Sequence, residues 1–136
     1  MLEQRIQRHF IDSADLQYQW AQASARPIAD AVQALLACVT DGGKLLVCGN
    51  GVSAALAQYM AALMVGGFER QRPELPALAL GSDGATLTAL ARRGDYADAF
   101  AAQVRALGSA GDVLLIVSPD GNAANLGRAA QAAHER

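Results

Sequence analysis

Cysteine, histidine and net charge are all scarce in this sequence of 136 residues. Its two cysteines, Cys38 and Cys48, lack a metal-type spacing, which excludes a cysteine-based metal site. In an acidic, alanine-rich chain they suit a reducing compartment and read as buried apolar residues. The two histidines, His9 and His134, lie far apart with no partner at ligand spacing, and each reads as a surface residue of a helix. A formal net charge of -2 gives no electrostatic case for gripping nucleic acid directly. No uninterrupted apolar run reaches the roughly 20 residues that span a bilayer, and Met1-Leu2-Glu3-Gln4-Arg5-Ile6-Gln7-Arg8 has no apolar signal core. The protein is expected to be cytoplasmic, with no cofactor, no metal, no direct nucleic-acid contact and no membrane partner. No repeat, low-complexity tract or interdomain linker interrupts it, so it reads as a single domain over residues 1–136.

What the sequence does have is Lys44-Leu45-Leu46-Val47-Cys48-Gly49-Asn50-Gly51-Val52-Ser53-Ala54, a short apolar strand, a glycine-rich turn and the start of an apolar helix. Glycines permit the tight turn, and the N–H groups and dipole at a helix start attract anions such as phosphate. Before it, apolar residues recur at Leu2, Ile6, Phe10, Leu16 and Trp20 with roughly helical spacing. Ser24 and Pro27 read as the start of a second helix that Gly42-Gly43 ends, so residues 1–43 are expected to form a helical hairpin.

After the hairpin, strands are expected at Lys44 to Cys48, Ala77 to Leu80 and Val113 to Val117. Helices are expected at Ser53 to Val65, Thr86 to Ala91, Tyr96 to Leu107 and Asn122 to His134. Arg92-Arg93-Gly94-Asp95 reads as a helix end followed by a cap. The pattern over 44–136 is βαβαβα, an α/β parallel sheet with helices on both faces, and both glycine loops, at Gly49 and Gly121, fall at carboxyl ends of strands. Three strands make a small sheet, and a further βα unit is expected where the sequence stops at Arg136.

The first loop also fits a dinucleotide fingerprint, but that site wants an acidic residue about 20 positions on, and Asp83 is about 30 away. Two readings stay open, a turn kept for folding and an altered ligand pocket. Cys48 has no nearby histidine to make it a nucleophile. Asp83, in Gly81-Ser82-Asp83-Gly84, either caps a helix or meets a ligand.

Three stretches taken together are specific: Cys48-Gly49-Asn50-Gly51-x-Ser53, Phe68-Glu69-x-x-Arg72-Pro73-x-Leu75-Pro76-Ala77, and Gly111-Asp112-Val113-Leu114-Leu115 with Ser118-x-x-Gly121-Asn122-x-x-Asn125. In this order they resemble the sugar isomerase (SIS) family, in the branch of phosphoheptose isomerase and the DnaA initiator-associating protein DiaA. Ala57-Gln58-Tyr59, Leu87-Thr88-Ala89 and Gln103-Val104-Arg105-Ala106-Leu107-Gly108 look most like DiaA. The resemblance implies a three-layer flavodoxin-like sheet, a homo-oligomer (usually a tetramer) and phosphosugar sites at subunit interfaces. The ligand-binding residues it points to are Gly49, Asn50, Gly51, Ser53, Asp83, Ser118, Gly121 and Asn122.

The same resemblance marks departures. Where the isomerases carry a His and, four residues on, a Glu, this sequence has Tyr59 and Leu63, with Ala62 before it; leucine neither carries a proton nor holds a metal. The family's remaining catalytic Gln and His would lie beyond Arg136, so no catalytic residue is assigned. In the phosphate loop Ser118-Pro119-Asp120-Gly121-Asn122-Ala123 keeps one of four hydroxyls, each worth about 1.5–3 kcal/mol toward a charged ligand. Asp120 adds a negative charge near the phosphate position. The expected function is a non-catalytic, DiaA-like adaptor for the replication initiator DnaA with a vestigial, weakly binding phosphosugar pocket. The alternatives are a sedoheptulose 7-phosphate isomerase making the heptose precursor of lipopolysaccharide, and a phosphosugar-binding sensor.

Overall fold

The computed structural model describes residues 1–94 and 96–136. Their elements are α1 (Leu2–Thr40), β1 (Leu45–Gly49), α2 (Val52–Gly66), β2 (Ala77–Ala79), α3 (Gly84–Arg92), a 3₁₀ turn (Tyr96–Asp98), α4 (Ala99–Leu107), β3 (Val113–Val117) and α5 (Ala124–His134). Asp95, expected as a cap, lies outside the described residues. By contacts the chain divides into Met1–Ala34 and Leu35–Arg136.

The first unit corrects the expected hairpin. Residues 2–40 form one helix, with Pro27 inside it. Proline costs about 3 kcal/mol in a helix interior because it lacks an N–H and crowds the preceding turn. Here the interruption does not become a turn, because Ala23-Ser24-Ala25-Arg26 offers no glycine or asparagine to reverse the chain, and good helix formers flank it on both sides. Pro27 is exposed, so water can hydrate the carbonyl that it leaves unpaired. Phe10, Trp20 and Ile28 on this segment are 71%, 62% and 60% exposed. No helix among the described residues is long and apolar enough to cross a membrane.

The second unit is the expected α/β core. Three parallel strands lie in the order β2-β1-β3, with Leu45 opposite both Ala77 and Val113. That order begins the flavodoxin-like arrangement 2-1-3-4-5. Every residue of β1 is buried, as the middle strand of a parallel sheet covered on both faces requires. Its side chains alternate between two cores. Leu46 and Cys48 join Phe100, Val104, Leu126 and Ala129 from α4 and α5. Leu45 and Val47 join Ala57, Ala61 and Met64 from α2, with Leu35 and Val39 of the last turns of α1 packed against them.

A polar tie sets the start of the sheet. The Asp112 carboxylate accepts the Lys44 backbone N–H at 2.9 Å, the Lys44 ammonium at 2.6 Å and the Ser109 N–H at 2.7 Å, joining the approaches to β1 and β3. Burial alone would raise the Asp112 pKa. The hydrogen bonds from Lys44 and Ser109 and the lysine charge outweigh it, so the carboxyl sits below its ordinary value.

Candidate functional site

The loops that follow β1 and β3 come side by side at the carboxyl ends of their strands. In the 2-1-3 order this is where the strand order reverses, the place open α/β sheets use for ligands. A cleft of about 330 Å³ lies there, lined from β1–α2 by Asn50, Val52 and Ser53 and from β3–α5 by Val117, Ser118, Pro119, Asp120, Ala123 and Leu126.

The first loop is set by two glycines. A Cβ on Gly49 would stand 2.7 Å from the Ser53 carbonyl oxygen, so the helix approaches the strand end as closely as it does only because no side chain is there. Gly51 has φ 55° at the N-cap of α2 and no side-chain cap supports it. The Ser53 N–H bonds to the Asn50 carbonyl and the Ala54 N–H to the Gly51 carbonyl, both at 3.0 Å.

The two loops are joined by a pair of amides. Asn50 Nδ2 donates to Asn125 Oδ1 at 2.9 Å, and Asn125 Nδ2 donates back to Asn50 Oδ1 at 2.8 Å. Asn125 is buried, and the exchange fixes both side chains across the mouth of the sheet. The sequence points to Asn50 as a ligand residue, whereas Asn125 enters there only as the end of a motif, with no role of its own. Its only signal was its place three residues after Asn122, which does not show a partner 75 residues away.

The second loop closes on itself. Asp120 Oδ1 accepts the Asn122 N–H at 3.1 Å and the Ser118 hydroxyl at 3.3 Å, while the Gly121 N–H donates to Ser118 Oγ at 2.9 Å. Gly121 supplies the positive φ, 70°, that the turn needs.

Asn50, Ser53 and Ser118 thus line the cleft, and Gly49, Gly51, Gly121 and Asn122 build the loops that frame it. Asp83 does not line it. Its carboxylate caps α3, accepting the Ala85 and Thr86 N–H groups at 3.0 and 3.2 Å and the Thr86 hydroxyl. These bonds, the Thr86 hydroxyl foremost, hold its carboxyl below the ordinary range.

Helix α2 carries Tyr59, 58% exposed, and Leu63 one turn on. Leucine has no group that can take a proton and return it. Arg72 holds the far end of this helix, donating to the Leu63 carbonyl at 2.7 Å and the Met64 carbonyl at 2.8 Å, which also accept the Gly67 and Leu75 N–H groups. Cys48 lies wholly buried beneath the loop, and burial pushes its thiol up to about 11, which leaves it unreactive. Among the described residues no three His, Cys, Asp or Glu side chains gather as a metal-binding group. The cleft can therefore offer hydroxyls, amides and backbone N–H groups to an anionic or polyhydroxylated ligand.

Residues 9–136 match the SIS domain family. Over all 136 residues the chain is 57% identical to a phosphoheptose isomerase of Methylibium petroleiphilum, covering 68% of that protein. It is 49% identical over 132 residues to a phosphoheptose isomerase of Azoarcus sp., covering 97% of this chain and 67% of the relative. Its fold superposes on phosphoheptose isomerase from Neisseria gonorrhoeae with a TM-score of 0.91 at 42% identity, covering 100% of this chain and 71% of that one. On the enzyme from Francisella tularensis the TM-score is 0.92 at 38% identity, covering 99% and 71%. The chain belongs to the SIS domain family, in its phosphoheptose isomerase branch.

Proposed function

We propose that this domain binds a heptose phosphate of the sedoheptulose 7-phosphate class in the cleft between the β1–α2 and β3–α5 loops, as a phosphoheptose isomerase-type protein of the cytoplasm. The observation that carries the reading is the convergence of Gly49–Ser53 and Ser118–Asn122 at the strand-order reversal, held by the reciprocal Asn50–Asn125 pair. The names of the relatives favour this reading over an adaptor for DnaA.

Isomerisation between an aldose and a ketose moves a proton between neighbouring carbons, so it needs a group that takes the proton and returns it. Residues 1–136 supply the cradle for the phosphate and the hydroxyls, while α2 offers Tyr59 and Leu63 where the resemblance implies a His and a Glu. That substitution favours a second reading, binding without turnover, in which a homo-oligomer presents its surface to a partner such as DnaA.

An isomerase assay with sedoheptulose 7-phosphate, run beside a melting-shift titration with the same compound, separates the two. Turnover with a melting shift supports the isomerase. A shift without turnover supports the binding protein, and co-purification with DnaA then tests the adaptor role. Neither turnover nor a shift overturns both sugar-phosphate readings.

A further inference from the structure

We infer that Asp120 is an internal competitor for phosphate: its carboxylate takes two donors of the Ser118–Asn122 loop and so weakens the cleft's hold on the phosphate end of its ligand. The inference rests on the proposed sugar-phosphate site. An oxyanion entering this loop would be bound by the Ser118 hydroxyl and by the loop's N–H groups, as anions are in glycine turns before a helix. In this chain one carboxylate oxygen, Asp120 Oδ1, already accepts both the Ser118 O–H and the Asn122 N–H. The Gly121 N–H is turned to Ser118 Oγ, so three of the loop's donors are already engaged within the loop. Asp120 itself lines the cleft, beside Ser118 and facing the Asn50–Ser53 loop across it.

Two effects follow and they act together. The ligand's phosphate must displace a carboxylate that is tethered to the loop, and it must then sit beside that carboxylate's charge. Like charges a few ångströms apart repel by an amount that remains considerable at the protein surface. Neither effect touches an uncharged hydroxyl. Asp120 therefore weakens binding of the phosphate end of a sugar and leaves binding of its polyol end nearly unchanged. A role confined to folding the loop would weaken or strengthen both ends alike.

The test is calorimetric titration of the wild-type chain, Asp120→Ser and Asp120→Asn with inorganic phosphate, sedoheptulose 7-phosphate and unphosphorylated sedoheptulose. Asp120→Ser removes the charge and leaves a hydroxyl that can donate to phosphate; Asp120→Asn removes the charge but keeps an acceptor of the same shape over the Asn122 N–H. We expect Asp120→Ser to tighten sedoheptulose 7-phosphate and phosphate by about tenfold or more, from lost repulsion and freed donors together. Asp120→Asn is expected to give a smaller gain, and sedoheptulose itself should not respond to either change. Equal gains for the phosphorylated and unphosphorylated sugars overturn the inference, as does tight phosphate binding by the wild type that neither variant alters; in that second case the site itself stands. If no variant binds any phosphorylated ligand while far-ultraviolet dichroism shows all three folded, the proposed site fails and the inference with it.

Discussion

Replacing Asn125 with alanine should cost this domain far more than its size suggests, because the change leaves a second side chain unpaired. The residue exchanges two hydrogen bonds with Asn50, at 2.9 and 2.8 Å, across the ends of β1 and β3. Each such bond contributes about 1 kcal/mol net, and a partly buried amide left without its partner costs about 1–3 kcal/mol in addition. Water reaching Asn50, which is only partly buried, recovers some of this, so Asn125→Ala is expected to lose about 2–4 kcal/mol. For a domain of this size that is a fall in melting temperature of roughly 6–16 °C. Urea denaturation followed by circular dichroism measures it. Asn50→Ala and the double variant complete a cycle, and the double loss should fall short of the sum of the single losses by about 1–3 kcal/mol. Strict additivity, or a loss below about 0.5 kcal/mol for Asn125→Ala, would refute the idea that the pair locks the two loops.

Three further outcomes are expected. Gly49→Ala places a Cβ 2.7 Å from the Ser53 carbonyl oxygen and should destabilise the fold by about 1–3 kcal/mol in denaturant titration, whereas Gly127→Ala, which meets nothing within 4 Å, should not destabilise it. Asp112 has a folded pKa below its unfolded one, so its contribution to stability is complete at neutral pH and is lost as pH falls from about 4 through the lower folded value. Asp112→Asn should flatten the stability profile over that acid range, and an unchanged acid limb would contradict the Lys44–Asp112 tie. Cys48, buried and pushed up to about 11, should resist a thiol reagent near pH 8 in the folded protein and react only as the chain unfolds, so fast labelling of the native state would show that β1 is not the sealed centre of the sheet.

The core was largely legible in the sequence. Lys44 to Ala54 announced a strand, a glycine loop and a helix, and β1 and α2 fall at Leu45–Gly49 and Val52–Gly66. The apolar run Val113 to Val117 became β3 as expected, because a strand in a parallel sheet needs no polar face. The expected helix from Tyr96 divides into a 3₁₀ turn and α4, and α5 starts at Ala124 instead of Asn122, since Asp120 to Asn122 are taken up in the loop's own bonds and Ala123 is the N-cap. What the sequence hid were features of long range or of choice between two local signals. Ser24 and Pro27 look like a helix start, yet they sit inside α1, because a start signal has no force where nothing nearby turns the chain. Asp83 could be a cap or a ligand, and the Thr86 hydroxyl and the N–H groups of Ala85 and Thr86 make it a cap. Asn125 showed no role until the sheet brought Asn50 beside it.

The central claim, that the cleft between the β1–α2 and β3–α5 loops receives the phosphate end of a heptose phosphate, is tested most directly by amide NMR shifts during titration with sedoheptulose 7-phosphate. Saturable shifts concentrated at Gly51, Ser53, Gly121 and Asn122, strengthened in Asp120→Ser, are the predicted result. Shifts that map elsewhere on the chain, or none at all into the millimolar range, would contradict it.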